Sequence, residues 1–229
     1  MKTLILGKGE VGKSLFNILH EHYPTWARDE KENDMIPKRM DVIHVSFPYS
    51  KDFVNQVKKY QKQYKPKFTV IHSTVPVGTS RKCNAFHSPV IGIHPNLEIS
   101  LKTFDKFLSG EGAGKVADYF RKADIRVYLT DKQETTELMK VLCTTKYGID
   151  IEYVKDVKRQ CKKYNVPFEA WTVWTENYNK GYQRLGQGQF TRPNLVPIME
   201  RIDGHCVLPN TKLIETKFTK LIRLLNSED

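Results

Sequence analysis

The first fourteen residues constrain this chain more than any other stretch. Thr3-Leu4-Ile5-Leu6 is a short apolar run suited to a buried strand, and it leads into Gly7-Lys8-Gly9-Glu10-Val11-Gly12. Beyond it Val11, Leu15, Ile18 and Leu19 recur at helical spacing, so a helix is expected from about Val11 to His20. A strand that turns through glycines into a helix aims backbone N–H groups and the positive end of the helix dipole at one spot, where a phosphate is favoured. Two readings fit these letters. As GxGxxG, the glycines allow a tight turn, close approach of a pyrophosphate to the backbone, and helix–sheet packing. As GxxxxGK[ST], Lys13 reaches the phosphates and Ser14 holds a magnesium ion.

The rest of the chain weighs against the second reading. Such a loop works with an apolar strand ending in an acid that holds the metal. The apolar runs at 41–47 and 68–72 end instead in Phe47-Pro48 and Ser73-Thr74. Asp29 lies about where a dinucleotide fold places an acid against the ribose hydroxyls. The expected cofactor contacts are therefore Gly7, Gly9, Glu10, Val11, Gly12 and Asp29, and the expected cofactor is NAD. Arg28 is the kind of residue that accommodates a 2′-phosphate, so NADP stays open.

Further strands are expected at 23–27, 41–47, 68–72, 90–93 and 125–129, with helices at 51–63 and 113–123. Residues 30–40 are polar and leave no room for a full crossover helix. Strands alternating with helices imply an α/β fold, a Rossmann-type parallel sheet with helices on both faces. After residue 131 the strand signals stop. One long helical pattern covers 134–164, interrupted only by Gly148, and others cover 168–183 and 211–225. The expected organisation is a dinucleotide-binding domain over 1–131 and a smaller helical domain over 132–229, joined by the long helix.

Hydrophobic residues make up 39% and charged residues 28%, which excludes a disordered chain. The apolar runs are too short to span a bilayer, and the one at the N-terminus is too short for a signal peptide. A cytoplasmic protein without a membrane partner is expected. The net charge of +11 suits an anionic partner. Its basic stretches, 58–67 and 155–163, read as solvated helix faces, and no nucleic-acid-binding motif accompanies them. Cys83, Cys143, Cys161 and Cys206 form no CxxC pair and are expected as reduced thiols. His72, His87 and His94 lack compact ligand spacing, so no metal is expected.

Several segments resemble the nucleotide-sugar 6-dehydrogenases, the UDP-glucose and GDP-mannose dehydrogenase family. Ser73-Thr74-Val75-Pro76-Val77-Gly78-Thr79 resembles that family's STVPVGT turn, and Val45-Ser46-Phe47-Pro48 sits where a strand ending in proline precedes it. Glu137-Leu138-Met139-Lys140 is similar to the start of the helix carrying the catalytic lysine. Gly204-His205-Cys206 followed by Pro209 is similar to the loop carrying the catalytic cysteine. The resemblance implies oxidation of an alcohol to an aldehyde, attack by a thiolate, a second oxidation to a thioester, and hydrolysis to the acid. It implies Cys206 as nucleophile, Lys140 as the charge that offsets a developing oxyanion, and Thr74 as a positioning residue. Pro48 and Ser73 would border the cofactor, and Asn96, Glu98, Thr144 and His205 would border an anionic or sugar-nucleotide substrate. Each has a plainer role available: a small packed thiol, a surface lysine, a turn threonine, a loop histidine.

Three departures bear on activity. The family's water-activating glutamate corresponds to Asn96, and an amide is no general base near neutral pH. Glu98, two residues on, would face the same way if the segment were extended. The asparagine one turn after the lysine corresponds to Thr144, and the acid after the cysteine loop to Asn210. The chain also stops after one further helix, whereas the family carries another α/β domain. A Rossmann domain followed by a helical one is equally the plan of the 6-phosphogluconate and β-hydroxyacid dehydrogenases. The alternative to an NAD-dependent oxidoreductase is a dinucleotide-binding protein without catalysis. The 134–164 helix, about 45 Å long at 1.5 Å per residue, would expose apolar surface in a lone subunit, so a homodimer is expected. Light scattering should then report twice the 26.7 kDa of one chain, and a monomer at micromolar concentration would contradict this.

Overall fold

The computed structural model describes residues 1–29, 35–92, 95–203 and 206–228. The chain divides into two compact units, 1–141 and 142–229. In the first, seven strands form one sheet: β1 (Thr3–Leu6), β2 (Thr25–Arg28), β3 (Val42–Val45), β4 (Phe68–Ile71), β5 (Phe86–His87), β6 (Lys106–Ser109) and β7 (Val127–Thr130). Their spatial order is β2-β1-β3-β4-β5-β6-β7. All neighbours are parallel except β5 and β6, so the last two strands run against the first five. This is the expected α/β, Rossmann-type sheet. From β1 the chain steps outward to β2 and then back across to β3. That reversal opens a crevice at the carboxyl ends of β1 and β3, where open α/β sheets bind ligands.

Helices α1 (Glu10–Leu19), α4 (Leu97–Thr103) and α5 (Gly114–Arg121) cover one face, around Ile5, Leu15, Leu19, Val70 and Phe120. Helix α2 (Phe53–Tyr64) covers the other, around Leu4, Leu6, Ile43, Phe53 and Ile71. Alternate residues of β1 and β3 thus enter opposite cores, as period-two side chains must. The short α3 (Thr79–Lys82) precedes β5. No helix occurs between β2 and β3 in the described residues 35–41.

The helical unit takes most of α6 (Thr135–Lys163), then α7 (Glu169–Arg184), α8 (Val207–Thr211) and α9 (Lys217–Glu228). Gly148 does not interrupt α6. A Cβ there would lie 2.7 Å from Val207 and 3.0 Å from Ile222, so the missing side chain is what lets α8 and α9 close on α6. Ile151, Ile202, Val207 and Ile222 form the core of this unit. The helix expected over 211–225 starts only at Lys217, because Thr211 ends α8 and 212–216 is not helical. The backbone amides of Thr216 and Thr219 each donate to the other's hydroxyl, at 2.9 and 3.1 Å, a reciprocal cap that starts α9 afresh. The strand expected at 90–93 lies earlier, at Phe86–His87, and among the described residues 90–92 have no strand structure. Strand β6 has no counterpart in the sequence reading, because its first buried residue is a lysine, Lys106. No described helix is long and apolar enough to cross a membrane.

A chain of polar groups crosses the α5 side of the sheet. His72 Nδ1 lies 2.9 Å from the Ser88 carbonyl, which can only accept, so the proton is on Nδ1. Nε2 of a neutral His72 then accepts from His44 Nδ1 at 2.8 Å. His44 Nε2 accepts from Tyr119 Oη at 3.1 Å, and Tyr119 accepts from Thr3 at 2.9 Å. Every donor points the same way and no member is charged. Lys106 Nζ donates to the same Ser88 carbonyl at 2.9 Å.

Burial pushes His44 and His87 down to about 3, and holds His72 well below its usual range. It pushes Lys106 down to about 7, with repulsion from Lys140 adding to the effect. An unfolded imidazole takes a proton near pH 6.5 that these folded ones refuse, so stability should fall as pH drops below about 6.5 toward 3. Lys106 works over a different window: its penalty is full at and below pH 7 and is relieved as pH rises toward 10.5. Urea unfolding at pH 7 and pH 5 should show the loss, and His44→Gln should make it shallower by about one proton. Lys106→Met should be at least as stable as the parent at pH 7 and less pH-dependent from 7 to 10. Unchanged slopes in both variants would refute the neutral-chain assignment.

Candidate functional site at the glycine turn

The turn after β1 is very short. Gly7 takes φ +98°, outside the range favoured by residues with side chains, and its N–H donates to the Arg28 carbonyl at 2.8 Å. A Cβ on Gly7 would meet the Phe47 nitrogen at 2.9 Å. A Cβ on Gly12 would sit 1.8 Å from the Gly7 carbonyl oxygen. Both glycines are therefore needed for α1 to lie against the ends of β1 and β3. Ser46 fastens the arrangement, its Oγ lying 2.9 Å from the Leu6 carbonyl and 3.0 Å from that of Gly7.

Gly9 is different. It has an ordinary extended backbone, φ −64° and ψ −174°, and a Cβ there would meet nothing within 4 Å. It is exposed and forms the N-cap of α1 without a side-chain cap bond. Glu10 and Val11 follow in the first turn of the helix. The geometry presents bare backbone at a helix N-terminus beside the crevice, which fits a diphosphate and leaves room for it. It also disposes of the phosphate-loop reading. Helix α1 begins at Glu10, so Gly12, Lys13 and Ser14 are already helical, with Lys13 exposed and Ser14 buried against the core.

Asp29 directly follows β2 and is exposed at the same edge of the sheet. The β3 exit and the STVPVGT turn are tied together by Ser73 Oγ, which donates to the Phe47 carbonyl at 2.6 Å, next to exposed Pro48. Thr74 is half-buried beside it. Gly78 sits at φ +89°, ψ 1°, the third position of a turn closed by Thr79 N–H on the Pro76 carbonyl.

Glu137 had no assigned role beyond the sequence match, and the structure gives it one. It is fully buried, and its two carboxylate oxygens accept from the Gly78 and Ser80 amides at 2.6 and 2.7 Å. The STVPVGT turn and the first turn of α6 are thereby one piece, with the next helical turn presenting Lys140. Lys140 is half-buried and donates to the Val90 carbonyl at 2.9 Å. His87 supports the same seam, Nε2 on the Ser73 carbonyl at 3.1 Å and Nδ1 on Thr136 at 2.7 Å. Ser46 and His87 were missed in the sequence because a strand serine and a buried histidine carry no periodic signal.

The remaining expected site residues divide. Asn96 is exposed at the N-cap of α4, its carbonyl accepting from Ser100 Oγ at 2.8 Å. The segment after it is helical, not extended. Glu98 consequently does not share a face with Asn96, and its carboxylate accepts from Asn17 of α1 at 2.9 Å. The extended geometry expected to set Glu98 on the same face as Asn96 is therefore absent. In the helical unit, Thr144 is buried on α6 and Asn210 Nδ2 reaches its hydroxyl at 3.5 Å, so two of the departing positions meet. Cys206 is exposed at the N-cap of α8. Gly204 and His205 lie outside the described residues. Cys83 is buried and pushed up to about 11 by desolvation, an inert thiol. Among the described residues no group of three His, Cys, Asp or Glu side chains is placed to hold a metal.

No protein-family model matches this sequence, and no curated protein matches it. Solved structures do match its fold. A UDP-D-ManNAc dehydrogenase from Pyrococcus horikoshii superposes with a TM-score of 0.78 at 14% identity, covering 100% of this chain and 68% of that one. A UDP-N-acetyl-mannosamine dehydrogenase from Staphylococcus aureus gives 0.73 at 11%, covering 100% and 68%. A 3-hydroxyisobutyrate dehydrogenase from Mycobacterium tuberculosis, solved with L-serine, gives 0.72 at 9%, covering 99% and 92%. The fold is that of these dehydrogenases.

The glycine contacts separate fold from binding. Gly12→Ala should cost more than about 3 kcal/mol or prevent folding, since its methyl collides with backbone. Gly9→Ala should stay within about 0.5 kcal/mol of the parent. Thermal unfolding of both variants checks this, and equal stability would show that the close approach is wrong.

Proposed function

We propose that this chain is an NAD-dependent oxidoreductase that oxidises an alcohol of a sugar-derived or small anionic substrate. The observation that carries the reading is the open, uncapped backbone at Gly9, at the helix N-terminus beside the crevice between β1 and β3. The dehydrogenases that share the fold support it, including two whose names specify UDP-sugars and one a small hydroxyacid. In this reading Gly7 makes the turn, Gly9, Glu10, Val11 and Gly12 hold the diphosphate through backbone amides, and Asp29 accepts from the ribose hydroxyls, which favours NAD. Pro48 and Ser73 border the nicotinamide end. The cofactor supplies a hydride acceptor.

The chain's own residues would do the rest. Lys140, anchored on the Val90 carbonyl, would place a positive charge beside the substrate oxygen as its proton leaves. Thr74, on the turn that Glu137 clamps to α6, would orient that oxygen. Cys206, exposed on its loop, would be the nucleophile of a second oxidation, with His205 and Thr144 bordering the substrate. The dinucleotide would bind to the N-terminal domain, 1–131, and the protein would work as a cytoplasmic homodimer.

A second reading, a dinucleotide-binding protein without catalysis, has one specific observation behind it. The position of the family's base is an exposed amide, Asn96, and Glu98 is engaged by Asn17.

Calorimetric titration of NAD should give saturable binding that Gly9→Ala reduces at least tenfold. No binding of NAD or NADP by the folded parent would sink both readings. Iodoacetamide at pH 7 decides between them. An activated Cys206 should alkylate faster than Cys143, which is also exposed, and Cys206→Ser should abolish acid formation while Lys140→Met lowers alcohol oxidation by 100-fold or more, on the order expected for losing an electrostatic stabiliser. Equal alkylation, with no turnover of any alcohol substrate by the NAD-bound parent, would leave the binding protein.

A further inference from the structure

A second feature of the first unit is unrelated to the glycine turn. Between the end of β2, the connection to β3 and the C-terminus of α2 lies a cleft of about 550 Å³. Four cationic side chains line it: Arg28, Lys38, Arg39 and Lys65, with Gln63 and Tyr64 between them. Among the described residues no carboxylate lines it. The acid that follows Arg39, Asp41, is engaged elsewhere, by Lys67 at 2.9 Å and by the Lys2 amide at 2.8 Å.

The backbone holds these cations together. Met40 N–H donates to the Tyr64 carbonyl at 3.0 Å, which sets Arg39 beside Lys65. Lys65 takes the left-handed conformation, φ 48°, that ends α2. Arg28 is the informative member. It is half-buried, and Nη1 donates to Tyr64 Oη at 2.9 Å. Its Nε is enclosed by protein and meets no acceptor among the described residues. A guanidinium held in place by Tyr64 on the wall of a cleft is preorganised for an anion there. Cations near the C-terminus of α2 also complement its dipole. That accounts for Lys65 but not for Arg28, which lies on β2.

We propose that this cleft binds a phosphomonoester or diphosphate group, held among the four cations Arg28, Lys38, Arg39 and Lys65. Two sources offer that chemistry: a free phosphorylated metabolite, or the 2′-phosphate of NADP reaching over from the adjacent end of β2. Only the second source rests on the function proposed above.

The probe is inorganic pyrophosphate, titrated by calorimetry into the whole protein at 0.1 M salt. The expected result is saturable binding, weakened at least tenfold in Arg39→Ala/Lys65→Ala, whose side chains are exposed and outside the core. Lys58→Ala/Lys59→Ala removes the same charge from the exposed side of α2 and should leave binding unchanged. Arg28→Met should weaken it as the double variant does, with the double variant deciding if Arg28→Met does not fold. No saturable binding by the parent, or equal loss in the Lys58/Lys59 control, overturns the proposal. The sources separate in a second titration. A 2′-phosphate site makes NADP bind at least tenfold tighter than NAD, with the advantage lost in Arg39→Ala/Lys65→Ala and with pyrophosphate competing. A free-anion site lets pyrophosphate bind undiminished to protein saturated with NAD. Pyrophosphate binding without any dinucleotide binding would sink the oxidoreductase reading and leave this site standing.

Discussion

The close approach of α1 to the ends of β1 and β3 is the constraint on which the rest of the first unit depends. It requires that Gly7 and Gly12 carry no side chain, since a methyl on Gly12 would lie 1.8 Å from a carbonyl oxygen. Once the helix sits there, Leu15, Ile18 and Leu19 enter the core, and Ser46 can fasten the turn from β3. The same geometry leaves Gly9 facing open space at the helix N-terminus. The packing requirement and the binding surface are thus two consequences of one turn. The phosphate-loop reading of the same residues fails because the helix starts too early for it.

Polar groups join the sheet to the start of α6. A carboxylate buried without partners would be costly, and Glu137 is placed inside the protein only because the Gly78 and Ser80 amides meet it. Losing either side would leave buried groups unsatisfied, so the STVPVGT turn and the lysine-bearing helix hold a fixed geometry. The chain from Thr3 through Tyr119, His44 and His72 to Ser88 follows the same rule within the sheet. It is fully satisfied only when every imidazole is neutral, which ties stability to pH. Such networks specify one arrangement where apolar packing would tolerate several.

Much of the fold was legible in the residues themselves. The glycine turn, the alternation of apolar runs with helical patterns, and the loss of strand signals after residue 131 determined an α/β sheet followed by helices. Those signals are local: period two, period 3.6, and glycine where no side chain fits. The match of Thr74, Lys140 and Cys206 to a dehydrogenase pattern was also visible, because motif residues stand close together in the chain.

What only the tertiary structure decided depends on residues far apart in sequence. Strand β6 opens with a buried lysine whose ammonium is satisfied by a carbonyl 18 positions away, and no local pattern announces that. The burial of Glu137, the pairing of Glu98 with Asn17, and the convergence of Arg28 with Arg39 and Lys65 are likewise long-range. Gly148 shows the same limit. By itself it reads as a break in α6, and only Val207 and Ile222 packing into the space above it show that it is a contact. Local sequence sets which conformations a segment prefers, whereas the partners of buried polar groups and the room left for a side chain are settled when distant segments meet.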